Sequence, residues 1–343
     1  MKGRIEVAAT IKDIAKQTGL GLATISSYLN GGNVREKNRI KIEQAIEELH
    51  FEVNEMARGL KTNRTKLIGV IIPELNNIFC AEIITEVEDI LRRYGYAIML
   101  CDCRTDEKRE EEAVEFLKKR RVDGVIVIPS GSKSAHLQNL MDAGVPVVLI
   151  DRKLKGLDCD CVLVDNRGCT RLAMEKLLAA GHRKIGMIAG PDEIYTSSER
   201  LEGYYEAMKD AGIGGCNSLV VRGDYTIKGG TRAFKELIEK NPDMTAVFVS
   251  NYEMMVGAMM EANELGIRIP EQISLVGFDN VEFAKACVPK LSIVSQPTIE
   301  IAKEAADMML RRLSEGREAK SVQVSLSAEY IEGKSIKRRE ERP

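Results

Sequence analysis

Residues 9–31 read ATIKDIAKQTGLGLATISSYLNG, and this stretch is helical twice over. Thr10 stands three residues before Asp13, the T-x-x-D pattern in which side chains satisfy the first free amides of a helix. Ile11, Ile14 and Ala15 then recur at helical spacing as far as Thr18. Gly19 supplies the left-handed residue that a tight turn between helices needs. A second helix is predicted from about Leu22 to Asn30, with Ile25 and Leu29 inward at i, i+4. The run Asn30-Gly31-Gly32-Asn33 stops it. Next, Arg35 to His50 reads as a third helix that buries Ile42, Ala45, Ile46 and Leu49. Helix, glycine turn, helix and a supporting helix make a helix-turn-helix, whose second helix enters the DNA major groove.

Charge supports that reading. Residues 1–66 carry 12 Lys/Arg against 8 Asp/Glu, while the whole 343-residue chain has a formal charge of −2. A basic head on an acidic body is the distribution expected of a nucleic-acid reader joined to a sensor. Residues 51–66 read as a connector. Asn54 to Leu60 can form only two helical turns, too few to be stable alone in water, so this piece is expected to order on a partner.

From Leu67 the pattern changes. Short apolar runs at 67–72, 97–101, 124–128, 145–150, 184–189, 219–221, 246–250 and 274–278 alternate with amphipathic helical stretches. That alternation implies parallel sheets covered by helices on both faces. About a dozen strands exceed one comfortable sheet, so two lobes are predicted. Ligands of such sheets sit beyond the carboxyl ends of the strands. Asp102, Ser130, Asp151, Asn251 and Asp279 all follow strand ends, which points to a shared polar cleft.

Several function classes find no support. The sequence has no phosphate-binding GxxxxGK[ST] loop, no G-x-G-x-x-G, no G-x-S-x-G and no metal-spaced His/Cys cluster. Its three histidines are His50, His136 and His182, each read as a surface or structural residue. Nothing calls for a catalytic residue, metal or cofactor. Eight scattered cysteines suit the reduced thiols of a cytoplasm. No export signal or membrane-length apolar run is expected from the sequence. The tail after Gly333 lacks apolar heptads, so nothing supports a tail-built tetramer.

The chain resembles the lactose-repressor family of bacterial transcription regulators from about Thr10 to Gly333. The resemblance rests on Ala9-Thr-Ile-Lys-Asp-Ile-Ala-Lys16, Thr24-Ile-Ser26 with Leu29-Asn30-Gly31, and Asn54 with Ala57-Arg58-Gly-Leu60. Further along it rests on Ile68-Gly-Val-Ile-Ile-Pro73, Arg121-Val-Asp-Gly-Val-Ile126, Gly181-His-Arg-Lys184, Arg200-Leu-Glu-Gly-Tyr204 and Val276-Gly-Phe-Asp279. It implies an all-α helix-turn-helix head at 1–50, a hinge helix and linker at 51–66, and an α/β two-lobed, periplasmic-binding-protein-like body with parallel sheets at 67–333. The N-lobe would hold about 67–165 and 296–325, the C-lobe about 166–292 and 326–333. A charged tail follows at 334–343. The function implied is a cytoplasmic homodimeric repressor that grips a near-palindromic double-stranded operator and changes grip when a small effector binds between the lobes.

The same resemblance assigns roles. Thr10, Lys12, Thr24, Ser26 and Asn30 would contact DNA, with Leu22 and Ala23 at base-reading positions. Both are apolar, so they can touch thymine methyls but cannot form bidentate hydrogen bonds. Ser27 stands where the family usually has Arg, which removes the commonest route to reading guanine. Gly21 replaces the usual Ser cap, and Val53 a usual Pro. Lys16, Arg35, Lys37, Arg39 and Lys61 are further expected phosphate contacts. Asn54, Ala57 and Arg58 would enter the minor groove beside Leu60, an apolar wedge that bends DNA. For the effector, the matching residues are Phe79, Ser130, Asp151, Arg200, Tyr225, Asn251, Asp279 and Gln296. Two acids, a guanidinium and an amide around an aromatic plate suit a sugar or sugar derivative over a purine. In Asn77-Ile78-Phe79, Ile78 replaces a frequent Pro, and Tyr252 replaces a frequent Asp. The alternatives are a purine-sensing regulator and an exported-type sugar receptor without a regulatory role.

Overall fold

A computed structural model describes residues 9–29, 31–51, 64–315 and 320–339. Two compact units divide the chain, Met1–Thr65 and Lys66–Pro343.

In the first unit, helices α1 (Ile11–Thr18), α2 (Leu22–Leu29) and α3 (Glu36–Glu48) each contribute one isoleucine to a small core. Ile14, Ile25 and Ile42 are all 0% exposed, joined by Ala45. Burying each isoleucine stabilises the unit by about 1.5–3 kcal/mol. Asp13 accepts hydrogen bonds from the Thr10 amide (2.8 Å) and hydroxyl (2.6 Å), fixing the start of α1. Gly19 ends it at φ 68°. The Tyr28 hydroxyl donates to Glu43 (2.9 Å) and so ties α2 to α3. The third helix is shorter at both ends than the Arg35–His50 expectation.

The second unit contains two six-stranded sheets. Strands β1 (Leu67–Ile72), β2 (Ala97–Asp102), β3 (Gly124–Val127), β4 (Val147–Ile150), β5 (Asp160–Val164) and the late β11 (Gln323–Leu326) form the first, in the order β11-β5-β4-β3-β1-β2. Strands β6 (Ile185–Ala189), β7 (Val220–Arg222), β8 (Ala246–Val249), β9 (Ser274–Phe278), β10 (Ser292–Ser295) and β12 (Glu329–Ile331) form the second, in the order β12-β10-β9-β8-β6-β7. Every pairing is parallel except β10 with β12, which is antiparallel. Central strands are buried along their whole length and read as continuous apolar runs, as parallel sheets covered on both faces require.

Each sheet is sandwiched by helices. On the first, Ile78–Arg93 and Thr298–Glu315 cover one face, while Glu107–Lys119 and Ala135–Asp142 cover the other. On the second, Asn166–Ala179 and Tyr195–Asp210 lie opposite Ile227–Lys240 and Tyr252–Glu264. The chain passes between lobes three times: after β5, after β10, and between β11 and β12. Strands β5 and β10–β12 were not among the apolar runs singled out above; polar residues begin β5 and bound or interrupt β10, β11 and β12.

The stretch set apart as a charged tail is fastened to the second sheet as far as Arg339. Ser335 is fully buried: its hydroxyl donates to the Leu275 carbonyl (2.5 Å) and accepts from the Ser292 amide (2.8 Å). The Lys337 amide donates to Ser274 Oγ (2.9 Å), and the Arg339 amide to the Ala180 carbonyl (2.7 Å). Backbone groups at the amino ends of these strands would otherwise lack partners, and the strap supplies them.

Candidate ligand site and nucleic-acid interface

Strands β1, β4, β8 and β9 end at Ile72, Ile150, Val249 and Phe278. The residues just beyond them turn polar groups into a cavity of about 270 Å³ lined from both lobes. Seven of the eight expected effector residues line it: Phe79, Asp151, Arg200, Tyr225, Asn251, Asp279 and Gln296. Ser130 does not. After β3 the chain runs on through buried Ile128 and Pro129, and the Ser130 amide is spent on the buried Glu110 carboxylate (2.5 Å). Asp102 also lies outside the lining, with its carboxylate accepting from the Arg104 amide (3.0 Å).

Backbone strain collects here. Asp151, Tyr225 and Asp279 all adopt left-handed conformations, at φ 68°, 62° and 58°. Aspartate tolerates this region; for tyrosine it costs about 1–2 kcal/mol. The Tyr225 ring lies against Gly190, where a Cβ would meet its carbons at 2.3 Å. Bare glycine backbone therefore leaves room for the phenol end of the Tyr225 ring against that wall.

The polar groups are held by second partners. Arg200 is 4% exposed. Its Nε donates to Asn166 Oδ1 (2.7 Å), its Nη1 to the Ser250 carbonyl (2.5 Å), and its plane lies 3.7 Å from the Phe278 ring centre. Gln296 Nε2 donates to both oxygens of Asp279 (3.2 and 2.9 Å). Burial pushes Asp279 up to about 6, with Arg200 and Gln296 pulling the other way. Arg152 Nη1 donates to the Pro129 carbonyl (2.5 Å), and its Nε lies 3.4 Å from Asp151 Oδ2.

The cavity also contains residues that the sequence did not mark. Asn77 starts the helix Ile78–Arg93, its Oδ1 accepting from the Cys80 amide (3.0 Å). Asn251 starts Tyr252–Glu264 in the same way through the Met254 amide (3.1 Å). Both side-chain NH₂ groups then donate to one carboxylate, Glu253: Asn77 from the N-lobe (2.9 Å) and Asn251 from the C-lobe (2.6 Å). Burial, then the charges of Asp279 and Glu74, pushes Glu253 up to about 7. Glu74, Arg104, Arg152, Thr196 and Asp224 are also in the lining. The available signal was local: an Asn followed by apolar residues after a strand is a helix cap, and a cap turns its neighbours toward the strand end.

In the head, Leu22 is 46% exposed at the start of α2, and Ala23 beside it is exposed. Thr24, Ser26 and Ser27 are half-buried, and Lys12 and Thr10 are exposed. The Ser27 carbonyl accepts from the Gly32 amide (2.8 Å), and a Cβ on Gly32 would meet the Ser27 hydroxyl at 2.4 Å. Lys16, Arg35 and Lys37 are exposed. Arg39 is already engaged by Glu36 (2.5 Å) and Glu43 (3.0 Å). Asn30, Asn54, Ala57, Arg58, Leu60 and Lys61 lie outside the described residues. Among the described residues, no group of three or more His, Cys, Asp or Glu is placed to hold a metal, and no helix is long and apolar enough to cross a membrane.

Comparison with known proteins agrees with this architecture. Residues 10–54 match the family described as "Bacterial regulatory proteins, lacI family", and residues 65–332 match "Periplasmic binding proteins and sugar binding domain of LacI family". The chain is 34% identical over 320 residues to the HTH-type transcriptional repressor PurR of Edwardsiella ictaluri, covering 92% of this chain and 94% of that protein. It is 31% identical to the repressor CytR of Escherichia coli K12, covering 90% and 91%. Among solved structures, the lac repressor dimer bound to operator and an anti-inducer superposes with a TM-score of 0.85 at 25% identity, covering 96% of this chain and all of that one. The regulator CelR in complex with cellobiose gives 0.74 at 30% identity, covering 95% and 99%. The chain therefore belongs to the LacI family of bacterial regulatory proteins, DNA-binding transcription regulators under the control of small effectors.

Proposed function

We propose that this regulator is a cytoplasmic homodimeric repressor whose hold on a near-palindromic operator is set by a sugar or sugar derivative bound between the lobes. Phe79, Asp151, Arg200, Tyr225, Asn251, Asp279 and Gln296 form the effector contacts, and Ser130 is dropped from that set. The carrying observation is the convergence of these groups on one cavity of about 270 Å³, with the Tyr225 ring packed against Gly190. Carboxylates and amides pair with hydroxyls, and an aromatic face covers the C–H side of a sugar ring.

In the head, Leu22 and Ala23 present apolar contacts to bases, while Thr10, Lys12, Thr24, Ser26, Ser27 and Asn30 hold the backbone and groove edges. Asn54, Ala57 and Arg58 flank Leu60 in the minor groove. With no arginine at position 27, much of the sequence preference falls on the deformation that Leu60 imposes.

Two measurements test the reading. Selection of bound duplexes from a random DNA pool should enrich a near-palindrome, and Leu60→Ala should weaken binding to it while sparing random DNA at the same salt. A chain that enriches no sequence is not such a repressor. Thermal shift against sugars, sugar phosphates, nucleosides and nucleobases should register a sugar; a ligand at 100 times its Kd adds about 2.7 kcal/mol. A response confined to nucleobases would replace the sugar reading with the purine one.

A further inference from the structure

We infer that Glu253 sets the charge class of the effector: the cavity takes a ligand that donates hydrogen bonds and carries no negative charge. This rests on the cavity being the effector site. Glu253 is not among the residues the family resemblance marks; its place follows from geometry. Asn77 and Asn251 have committed their side-chain oxygens to helix caps, so only N–H donors face Glu253 from either side. Those two donors call for an acceptor on both oxygens, which only the carboxylate provides.

The surrounding charge is one-sided. Glu74, Asp151, Asp224, Glu253 and Asp279 line the cavity against Arg104, Arg152 and Arg200. Two of the arginines are turned to other partners: Arg200 serves Asn166 and Ser250, and Arg152 Nη1 serves the Pro129 carbonyl while its Nε lies 3.4 Å from Asp151; Arg104 is exposed, 4.0 Å from Asp102. Glu253 itself faces Glu74, Asp279, Asn77 and Asn251, with no cation among its hydrogen-bond partners. A phosphate or carboxylate arriving beside it would meet like charge in a poorly solvated site.

The spare hydrogen-bonding capacity is mainly accepting, with Arg152 Nε a buried donor beside it. Asp151 and Gln296 are 6% and 7% exposed, and both line the cavity. Asp151 Oδ1 and Gln296 Oε1 are buried and lack any partner. Both are acceptors and neither can donate. The Tyr225 hydroxyl is likewise unpartnered and can serve either role. Buried acceptors of this kind are satisfied when a ligand supplies O–H or N–H groups. Polyols, amino sugars and unphosphorylated nucleosides all offer them; their phosphorylated forms add the charge that Glu253 opposes.

The test uses matched probes on the full chain: glucose, glucosamine and glucose 6-phosphate; ribose and ribose 5-phosphate; cellobiose; adenosine, cytidine and their 5′-monophosphates. Affinities are measured at pH 8 for the wild type, Glu253→Gln and Glu264→Gln. Glu264 is exposed at the far end of the same helix and outside the cavity lining, so its loss removes an equal charge without touching the site. Binding is expected only from uncharged or cationic members, each at least tenfold tighter than its phosphorylated counterpart. Glu253→Gln should shrink that ratio at least threefold, while Glu264→Gln should keep it. A phosphorylated member bound as tightly as its parent would overturn the charge rule and leave the effector site standing, as would a ratio unmoved in Glu253→Gln. No binding by any probe would remove the effector reading for these classes and the inference with it.

Discussion

His182 offers a direct test of how the C-terminal strap holds the second sheet. The side chain is 1% exposed, with Nδ1 2.8 Å from Thr245 Oγ1 and Nε2 3.0 Å from the Lys337 carbonyl. A carbonyl can only accept, so Nε2 carries the hydrogen and Nδ1 accepts from the threonine hydroxyl. Burial, aided by the charge of Arg339, pushes the imidazole down to about 4 from its ordinary 6.5. The folded state thus favours the neutral ring. Its contribution is complete above pH 6.5 and is lost as pH falls toward 4. Between pH 8 and pH 5 the loss comes to about 1–2 kcal/mol once solvent screening at the strap is allowed for. His182→Gln keeps a donor for Lys337 and cannot titrate. Urea unfolding of both proteins at pH 8, 6.5 and 5 should show the wild type ahead by about 1 kcal/mol at pH 8, the worth of the lost hydrogen bond. That lead should shrink or reverse by pH 5. Curves that stay parallel at all three pH values would refute the reasoning, because they would mean that His182 takes up its proton equally in both states.

Four further outcomes are expected. Glu253, raised to about 7, has the opposite sign: its contribution is complete below 4.5 and is lost as pH rises through 7, so the stability of Glu253→Ala relative to the wild type, read by urea unfolding, should rise between pH 5 and 8. Gly190→Ala should push the Tyr225 ring off its wall and weaken effector binding at least tenfold, read by titration, with little change in thermal stability. Asp160→Asn should destabilise the body by about 3–5 kcal/mol, seen as a lower melting temperature, because buried Asp160 accepts from both Arg311 (3.0 Å) and Arg312 (2.7 Å). Ile25→Ala should cost about 2–5 kcal/mol in a head that has four buried apolar residues among those described; DNA binding measured by anisotropy should collapse while effector binding survives.

The head and the β-α alternation were legible because their signals are local. Thr10 and Gly19 bracket a helix whose apolar period is unambiguous, and Leu67–Ile72 appears as a strand with the boundaries its apolar run implies. Strands β11 and β12 were not legible, since Gln323–Leu326 and Glu329–Ile331 belong to different sheets and owe their strand geometry to partners more than 150 and about 35 residues away. The site divides in the same way. Asp151, Asn251 and Asp279 could be found at strand ends. Ser130 follows the same rule and fails it, because Glu110 on a neighbouring helix claims its amide. Glu253 escaped notice for the converse reason. Its role depends on Asn77, 176 residues away, and no local pattern joins them.

The late strands and the strap bear on the order in which the protein comes into being. The first sheet is closed by β11 and the second by β12 and residues 334–339. During synthesis neither lobe can be completed until the chain has been made past residue 320, whereas the head's core, among the described residues, is complete by Phe51. A growing chain thus acquires a folded DNA reader long before it acquires a ligand cavity. A message truncated within the body would yield a reader with no means of answering an effector. Quality control that removes such fragments matters more for this architecture than for one whose sensor is translated first.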